Sequence, residues 1–301
     1  MAVLTIKGYR VEEKIKDGSV GTVWRVTNSK LQTLALKQIS GENARDSKKI
    51  GQFKREFAVT QGLEHPHVIR VYDYVPLNPQ HFFTMEYFES ESLKYAMFHA
   101  PEYVEGREFT ILRELAQALE YVHSKGIVHK DIKPENVLVN SDGDIRLIDF
   151  SLSQTKWDRM LQFGKKVEGT PMYMPPEQVR GEKCDHRTDL YAFGLIAYEL
   201  LAKKVPFPST DSYKLMEMHL RETPPPLKTH QHSIAPDLDL FVLRMLQKSP
   251  DRRPQSMTEV IHELSKWEKK DTVVRRRQIR PAPPVDKENP SPLREAASTS
   301  F

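Results

Sequence analysis

The chain has 301 residues, of which 39% are hydrophobic and 29% charged, and this size and composition are typical of a globular protein with room for two lobes. No apolar run approaches the length of a membrane span, and residues 1–8 lack the apolar core of a signal peptide. The single cysteine, Cys184, excludes an internal disulfide, and we expect a reducing, cytoplasmic location.

The net charge of +4 is concentrated near the C-terminus. Residues 268–301 contain eight Lys or Arg against five Asp or Glu, so the rest of the chain is nearly neutral. A dedicated nucleic-acid binder usually has a basic face, so we expect no nucleic-acid partner. The same segment contains prolines and no core-forming pattern, which predicts a basic, disordered tail over 268–301.

Strands are predicted in the first third of the chain. The stretches Val20–Val26 and Thr33–Ile39 are rich in β-forming residues and are bounded by turn residues, and a helical pattern then covers Lys49–Gly62. After Ser90, apolar residues recur at three- and four-residue spacing, which predicts helices at Phe109–Ser124, Thr188–Ala202, Leu238–Gln247 and Ser256–Lys266. Strands first and helices later indicate two segregated layers or lobes.

One segment, residues 129–138, combines an acid, a cation and an amide. Asp131, Lys133 and Asn136 lie within six residues, and Asp149 follows thirteen residues after the amide. Transfer of a phosphoryl group from a nucleotide needs a carboxylate to orient the attacking hydroxyl, a cation on the moving group, and oxygen ligands for metal ions. Taken alone, an Asp and an Asn at this spacing are also common in solvated turns.

In order and spacing these residues resemble the catalytic loop and metal-binding triplet of the eukaryotic-type (Hanks-type) serine/threonine protein kinases, and the stretch 219–227 is most like bacterial members. The resemblance implies that Asp131 is the catalytic base and that Lys133 steadies the γ-phosphate of ATP. It implies Asn136 and Asp149 as ligands of Mg²⁺, with Mn²⁺ as an alternative.

The fold that this resemblance implies is α+β and bilobal. After an N-terminal leader at 1–8, a small β-rich N-lobe with one regulatory helix would occupy residues 9–88. A larger helical C-lobe would occupy residues 89–267 and precede the tail.

The resemblance also implies a nucleotide site. Gly18 and Gly21 would let a strand–turn–strand close over the phosphates, although Lys16 stands where the family usually has a further glycine. Lys37 would grip the α- and β-phosphates, and Glu56 would pair with it. The remaining implied ATP contacts are Val23, Ala35, Leu138 and the backbone of Glu86 and Phe88. From the residues alone, a hairpin with a glycine bulge and a solvated strand lysine stay open as interpretations.

Further positions follow from the same resemblance. Glu177 would pair with Arg253 in the core, and Asp189 would accept hydrogen bonds from the backbone of the catalytic loop. Glu135 and Glu199 lie where some relatives bind a substrate arginine, but both residues also occur widely in kinases without that preference.

Three departures from the family pattern concern regulation. Lys130 and Lys166 stand where many kinases have an arginine and a phosphothreonine, and because two like charges repel, we hypothesise that activity needs no phosphate at position 166. Ser151 replaces the glycine that follows Asp149 and Phe150 in relatives and restricts the backbone. Thr60 replaces an apolar residue of the regulatory helix, which suggests a loosely held helix and an activating partner there.

The favoured function is transfer of the ATP γ-phosphate to Ser or Thr hydroxyls of protein substrates, in a signalling role. The alternative is a pseudokinase that binds nucleotide as a scaffold, supported by the departures at Lys16, Lys130, Ser151 and Thr60. A small-molecule kinase would share the Asp and Asn, but it gives no reason for Gly169-Thr170 and Pro176-Glu177, which in kinases build a platform for protein substrates.

Overall fold

The computed structural model describes residues 5–18, 20–39, 41–76, 80–153 and 171–278, with residues 268–278 described by their backbone alone. Its first lobe is an antiparallel sheet of six strands in the order β1-β2-β3-β4-β6-β5. The strands are β1 (Thr5–Ile6), β2 (Tyr9–Asp17), β3 (Gly21–Thr27), β4 (Thr33–Ile39), β5 (Val71–Pro76) and β6 (His81–Glu86).

One helix, α1 (Ser47–Thr60), covers one face of this sheet. The side chain of Asp46 caps the helix by accepting two backbone N–H groups of its first turn. Phe53 is fully buried and packs on Phe83 of the sheet, with ring centroids 5.0 Å apart. Since residues three apart share a helix face, this contact turns Glu56 toward the sheet as well.

The second lobe is mainly helical. Within the described residues its helices are α2 (Leu93–His99), α3 (Glu108–Ser124), α4 (Pro176–Val179), α5 (His186–Ala202), α6 (Ser212–Arg221), α7 (Pro236–Met245) and α8 (Met257–Gln278). Helix α5 lies at the centre of the core, and most of its side chains are buried. Gly194 permits its close contact with α7, because a Cβ there would lie 2.8 Å from Cβ of Met245.

A small antiparallel sheet carries the polar loop residues of this lobe. It consists of β7 (Glu91–Ser92), β8 (Val137–Val139) and β9 (Ile145–Leu147). A parallel bridge joins Leu147 to Val68 of the first lobe, where Ile69 N donates to Leu147 O at 3.0 Å. The segments on either side of β8 and β9 therefore lie next to the junction of the lobes.

The bilobal α+β fold expected from the sequence is confirmed, including the single helix of the first lobe. Helix α3 begins one residue before the predicted start, and α5 begins two residues before it. Within the described residues, the backbone of α8 continues to Gln278, through a stretch without Gly or Pro. No helix among the described residues is both long and apolar enough to cross a bilayer.

Candidate active site

A lysine of the sheet and a glutamate of the helix meet between α1 and β4. Nζ of Lys37 lies 2.5 Å from Oε1 of Glu56, and both side chains are largely shielded from solvent. Strand register puts Val23 opposite Lys37 and places Ala35 two residues before it, so the three side chains share the face that α1 covers. The expected Lys37–Glu56 pair is therefore formed in the structure.

Three ionisable groups interact in this region, namely the ammonium of Lys37 and the carboxylates of Glu56 and Asp149. Burial opposes the charge of Lys37, but Glu56 and Asp149 outweigh this effect and raise the pKa of the lysine. Burial also opposes ionisation of Asp149, but the Lys37 ammonium and hydrogen bonds from Ser151 outweigh it and lower the Asp149 pKa to about 2. Burial raises the pKa of Glu56, and the charge of Asp149 adds to this effect. Lys37 and Asp149 are thus held charged at neutral pH.

The acid, cation and amide of the loop before β8 form a second cluster. Nζ of Lys133 donates to Oδ2 of Asp131 at 2.6 Å. Nδ2 of Asn136 donates to the backbone oxygen of Asp131 at 2.8 Å and to its Oδ2 at 3.1 Å. Asn136 is buried in a tight turn, Pro134–Asn136, so its side chain is fixed. Asp131, Lys133 and Asn136 therefore form one hydrogen-bonded group.

A buried aspartate on α5 holds the start of this loop. Asp189 is completely buried and accepts the backbone N–H of His129 at 2.9 Å and of Lys130 at 2.8 Å, as expected from the sequence. Nε2 of His123 lies 2.8 Å from the same carboxylate. Lys130 has a φ of +68°, a conformation that costs a non-glycine residue energy. These bonds hold the backbone in that conformation.

The segment after β9 places Asp149 beside the loop. The backbone N–H of Ile148 donates to the backbone oxygen of Asn136 at 2.9 Å, which ties the two predicted metal ligands to adjacent chain segments. Asp149 has a φ of +67°, whereas Ser151 is not among the positive-φ residues of the described chain. Phe150 is fully buried against the His129 ring, at 4.7 Å between centroids. The serine at 151 is thus compatible with this arrangement.

The strand–turn–strand at the start of the first lobe is a hairpin between β2 and β3. Its register shifts between Val11 and Glu13 and again between Lys14 and Lys16, so the pairing of these strands is irregular. A Cβ on Gly21 would lie 2.1 Å from the backbone oxygen of Gln38, which only glycine avoids. The backbone N–H of Gly18 donates to the backbone oxygen of Gly21 at 2.9 Å, and this bond joins the two ends of the turn between β2 and β3.

Glu86 and Phe88, two of the residues predicted to contact adenine, lie at the end of β6 and just after it. Glu86 uses its N–H on the Arg70 oxygen at 2.8 Å, so its carbonyl is the backbone group that remains for a ligand. Its carboxylate binds Arg146, whose guanidinium also lies 4.4 Å from the centre of the Phe88 ring. Leu138 lies on β8 of the second lobe and is partly exposed. That backbone groups of Glu86 and Phe88 hold adenine stays a prediction.

Comparison with known proteins identifies this arrangement. Residues 9–265 match the family model described as the protein kinase domain. The chain belongs to the protein kinase domain family.

This kinase domain is similar to bacterial proteins. It is 33% identical over 273 residues to the serine/threonine-protein kinase pkn3 of Myxococcus xanthus, covering 87% of this chain and 50% of that protein. It is 32% identical over 259 residues to a probable serine/threonine-protein kinase of Streptomyces coelicolor, covering 84% and 38%. For the serine/threonine-protein kinase PknB of Mycolicibacterium smegmatis the identity is 30% over 263 residues, covering 85% and 42%. The chain spans half or less of these relatives' length, and their source confirms the resemblance to bacterial members.

An ion pair in the kinase C-lobe joins α4 to the segment before α8. Arg253 binds both carboxylate oxygens of Glu177 at 2.8 Å, and both side chains are almost completely buried. Arg253 also donates to three backbone carbonyls. Removing one partner of such a pair typically costs ~3–5 kcal/mol, so the pair predicted from the sequence is present and structurally demanding.

The Thr60 hydroxyl of the regulatory helix has a partner. Its Oγ1 donates to the backbone oxygen of Glu56 at 2.7 Å, and the residue is 2% exposed. The buried hydroxyl therefore does not carry the penalty of an unsatisfied polar group. An activating partner at this helix stays a prediction.

Some residues near the loop were not singled out by sequence reasoning. Lys94 and Tyr173 bind Glu199, and Gln178 donates to the Lys130 oxygen at 3.0 Å. They lie 26 to 105 residues apart along the chain, and no local spacing signals such contacts. The predictions for Lys166 and Thr170 fall outside the described residues.

Proposed function

We propose that this kinase domain transfers the γ-phosphate of ATP to Ser or Thr hydroxyls of protein substrates. The observation that carries the proposal is the coexistence of the Lys37–Glu56 pair with the Asp131–Lys133–Asn136 cluster. Phosphoryl transfer depends mainly on positioning and electrostatic stabilisation, and these two groups supply both at the junction of the lobes.

Binding of the nucleotide would use the first lobe. Lys37, held charged, pairs with the α- and β-phosphates, and Glu56 keeps its ammonium in place. Gly18 and Gly21 let the hairpin backbone approach the phosphates, while Val23, Ala35 and Leu138 enclose the adenine. The Glu86 carbonyl and the backbone of Phe88 hydrogen-bond its edge.

Asn136 and Asp149 fit a divalent cation. The amide nitrogen of Asn136 is engaged by Asp131, so Oδ1 is the atom that can face a cation, and the low pKa of Asp149 keeps its oxygens anionic. The described residues contain no cluster of three His, Cys, Asp or Glu, and Mg²⁺ in phosphate chemistry commonly combines one or two protein oxygens with phosphate oxygens. When bound, Mg²⁺, or Mn²⁺ in its place, would neutralise charge on the phosphates.

Chemistry at the acceptor would centre on Asp131. Its carboxylate orients the substrate hydroxyl and takes its proton, as a bond forms between that oxygen and the γ-phosphorus and the bond to the β–γ bridging oxygen breaks. Lys133, bonded to the same carboxylate, places its ammonium on the γ-phosphate and offsets charge on the transferred group. The Ser/Thr preference is supported by Lys133 and by the names of the similar bacterial proteins.

The proposal is tested by incubating the protein with γ-labelled ATP, Mg²⁺ and a generic protein acceptor, followed by acid hydrolysis and identification of the labelled residues. Label on phosphoserine and phosphothreonine, absent with Lys37→Met, supports it. Nucleotide binding without transfer would instead support the pseudokinase alternative.

The remaining predictions go with this proposal. Several expectations from the sequence stay predictions. They are the lobe limits 9–88 and 89–267, the cytoplasmic location, activity without a phosphate at position 166, and the absence of a nucleic-acid partner.

A further inference from the structure

A buried carboxylate in the second lobe is bound by a lysine of the same chain. Glu199 of α5 is 2% exposed, and its Oε1 lies 2.6 Å from Nζ of Lys94 of α2. Its other oxygen, Oε2, accepts the hydroxyl of Tyr173 at 2.5 Å. The Lys94 ammonium is also 3.2 Å from the Tyr173 hydroxyl. Both oxygens of the carboxylate are thus engaged.

The groups around the Lys94 ammonium form a site that suits a cation. Nζ of Lys94 lies 5.0 Å from the centre of the Phe98 ring and 5.8 Å from that of Tyr173, distances at which aromatic faces attract cations. A carboxylate, a hydroxyl and two aromatic faces converge on one point. The Lys94 side chain is 28% exposed, whereas the Glu199 side chain is buried. The site therefore opens to the surface on the side of the lysine.

This site adjoins the proposed phosphoacceptor site. Helix α2 packs against the turn Pro134–Asn136, which lies between Lys133 and β8. Glu135 of that turn has a buried Oε2 for which the structure shows no hydrogen-bond partner. Its charge also acts on Tyr173, whose pKa is raised by burial, by Glu199 and by Glu135. The turn that packs against α2 thus carries a second carboxylate, one oxygen of which is buried and has no hydrogen-bond partner among the described residues.

We propose that Lys94 is a specificity-determining residue, the internal occupant of a cation site that would otherwise accept an arginine or lysine of the protein substrate. By neutralising Glu199, it makes the wild-type kinase indifferent to a basic side chain at that substrate position. This inference rests on the proposed function and deepens it. It differs from a purely structural role, because a purely structural ion pair would not set the preference of the kinase for a basic residue in its substrate.

The cation site is tested first without any reaction. Lys94→Ala deletes a fragment that n-propylammonium replaces atom for atom. This amine is expected to raise the thermal unfolding midpoint of Lys94→Ala but not of wild type or of Lys94→Ala/Glu199→Gln, with n-propanol as the uncharged control. Equal shifts in all three proteins would overturn the proposed site. If Lys94→Ala does not fold, Lys94→Met, which has a side chain that lacks only the terminal ammonium position, is used with the ammonium ion.

Substrate choice is tested with a peptide library in which arginine is placed at each position around one serine. Wild type and Lys94→Arg are expected to show no arginine preference. Lys94→Ala should favour arginine at one position by about tenfold, the scale of one well-placed ion pair, and Lys94→Ala/Glu199→Gln should lose this gain. Unchanged profiles in an active Lys94→Ala would overturn the inference. Absence of transfer by wild type would instead count against the proposed function, and the amine experiment would still report on the site.

Discussion

Nζ of Lys37 lies 2.5 Å from Oε1 of Glu56 and joins the central strand β4 to the regulatory helix α1. Because α1 is packed on the sheet through Phe53 and Phe83, the pair is part of the first lobe's own core contacts. Asp149 of the second lobe acts on the same ammonium. One lysine thus connects the sheet, the helix and the proposed metal-binding segment.

Glu56→Gln should lower kcat/KM for ATP by roughly a hundredfold, the usual scale for removing one preorganised electrostatic contact. The change keeps the shape of the side chain but removes the charge that holds Lys37 in place. Steady-state kinetics at varied ATP measure it. The control is Glu13→Gln, which removes an exposed pair with Arg25 and should leave the kinetics unchanged. Equal kinetics for Glu56→Gln and wild type would contradict the role of the pair.

Two glycines provide a matched test of the hairpin. Gly21→Ala should destabilise the protein by about 1–3 kcal/mol, since its Cβ would lie 2.1 Å from a backbone oxygen of the neighbouring strand. Gly51→Ala, in α1 with nothing within 4 Å of the added Cβ, should stabilise by about 0.5–1 kcal/mol. Urea unfolding measures both. A similar change in the free energy of unfolding for the two substitutions would show that the close contact between the strands does not destabilise Gly21→Ala.

The sequence predicted what depends on local spacing. The Asp131–Lys133–Asn136 order is visible within six residues of the sequence, whereas the Lys37–Glu56 pair, 19 residues apart, was implied by the resemblance to a family. Buried pairs such as Glu177–Arg253 were reached only through resemblance to a family, because 76 residues separate the partners.

Other features could not be predicted, for physical reasons. Whether Thr60 weakens its helix depends on a hydrogen bond to Glu56 that forms only when the helix does. The Lys94–Glu199 contact depends on the packing of α2 against α5 across 105 residues of sequence. The N–H of Glu86 is used within the protein because β5 and β6 are neighbours, which residue types do not reveal.

Asp189 should contribute stability that depends on pH. Burial opposes its ionisation, but hydrogen bonds from His123 and the loop backbone outweigh this effect and lower its pKa below the ordinary 3.8. The stabilisation is therefore present above about pH 4 and is lost as pH falls through the lower folded-state pKa. Asp189→Asn should cost about 2–4 kcal/mol at pH 7 and flatten the loss of stability below pH 4. Unfolding free energies from pH 7 to 3 measure this, with exposed Asp142→Asn as control, and parallel curves for Asp189→Asn and wild type would contradict it.

Thr60→Val tests whether the regulatory helix is loosely held. The hydroxyl bonds within its own helix, so replacing it with a methyl group of similar shape should change basal activity by less than about twofold. Initial rates of transfer to a generic acceptor measure this. A large increase would show that the polar side chain weakens the attachment of α1 and would favour an activating partner.

Asp131→Asn offers the most direct measurement. With saturating ATP and Mg²⁺, single-turnover transfer to a serine acceptor should fall by roughly a thousandfold, because the amide cannot take the proton of the hydroxyl. Nucleotide affinity, measured by calorimetry on the same protein, should stay within about twofold of wild type, since Asp131 acts on the acceptor and not on ATP. Equal transfer rates for Asp131→Asn and wild type would contradict the assignment of Asp131 as the catalytic base, and a wild-type protein that binds ATP without transferring phosphate would contradict the proposed activity.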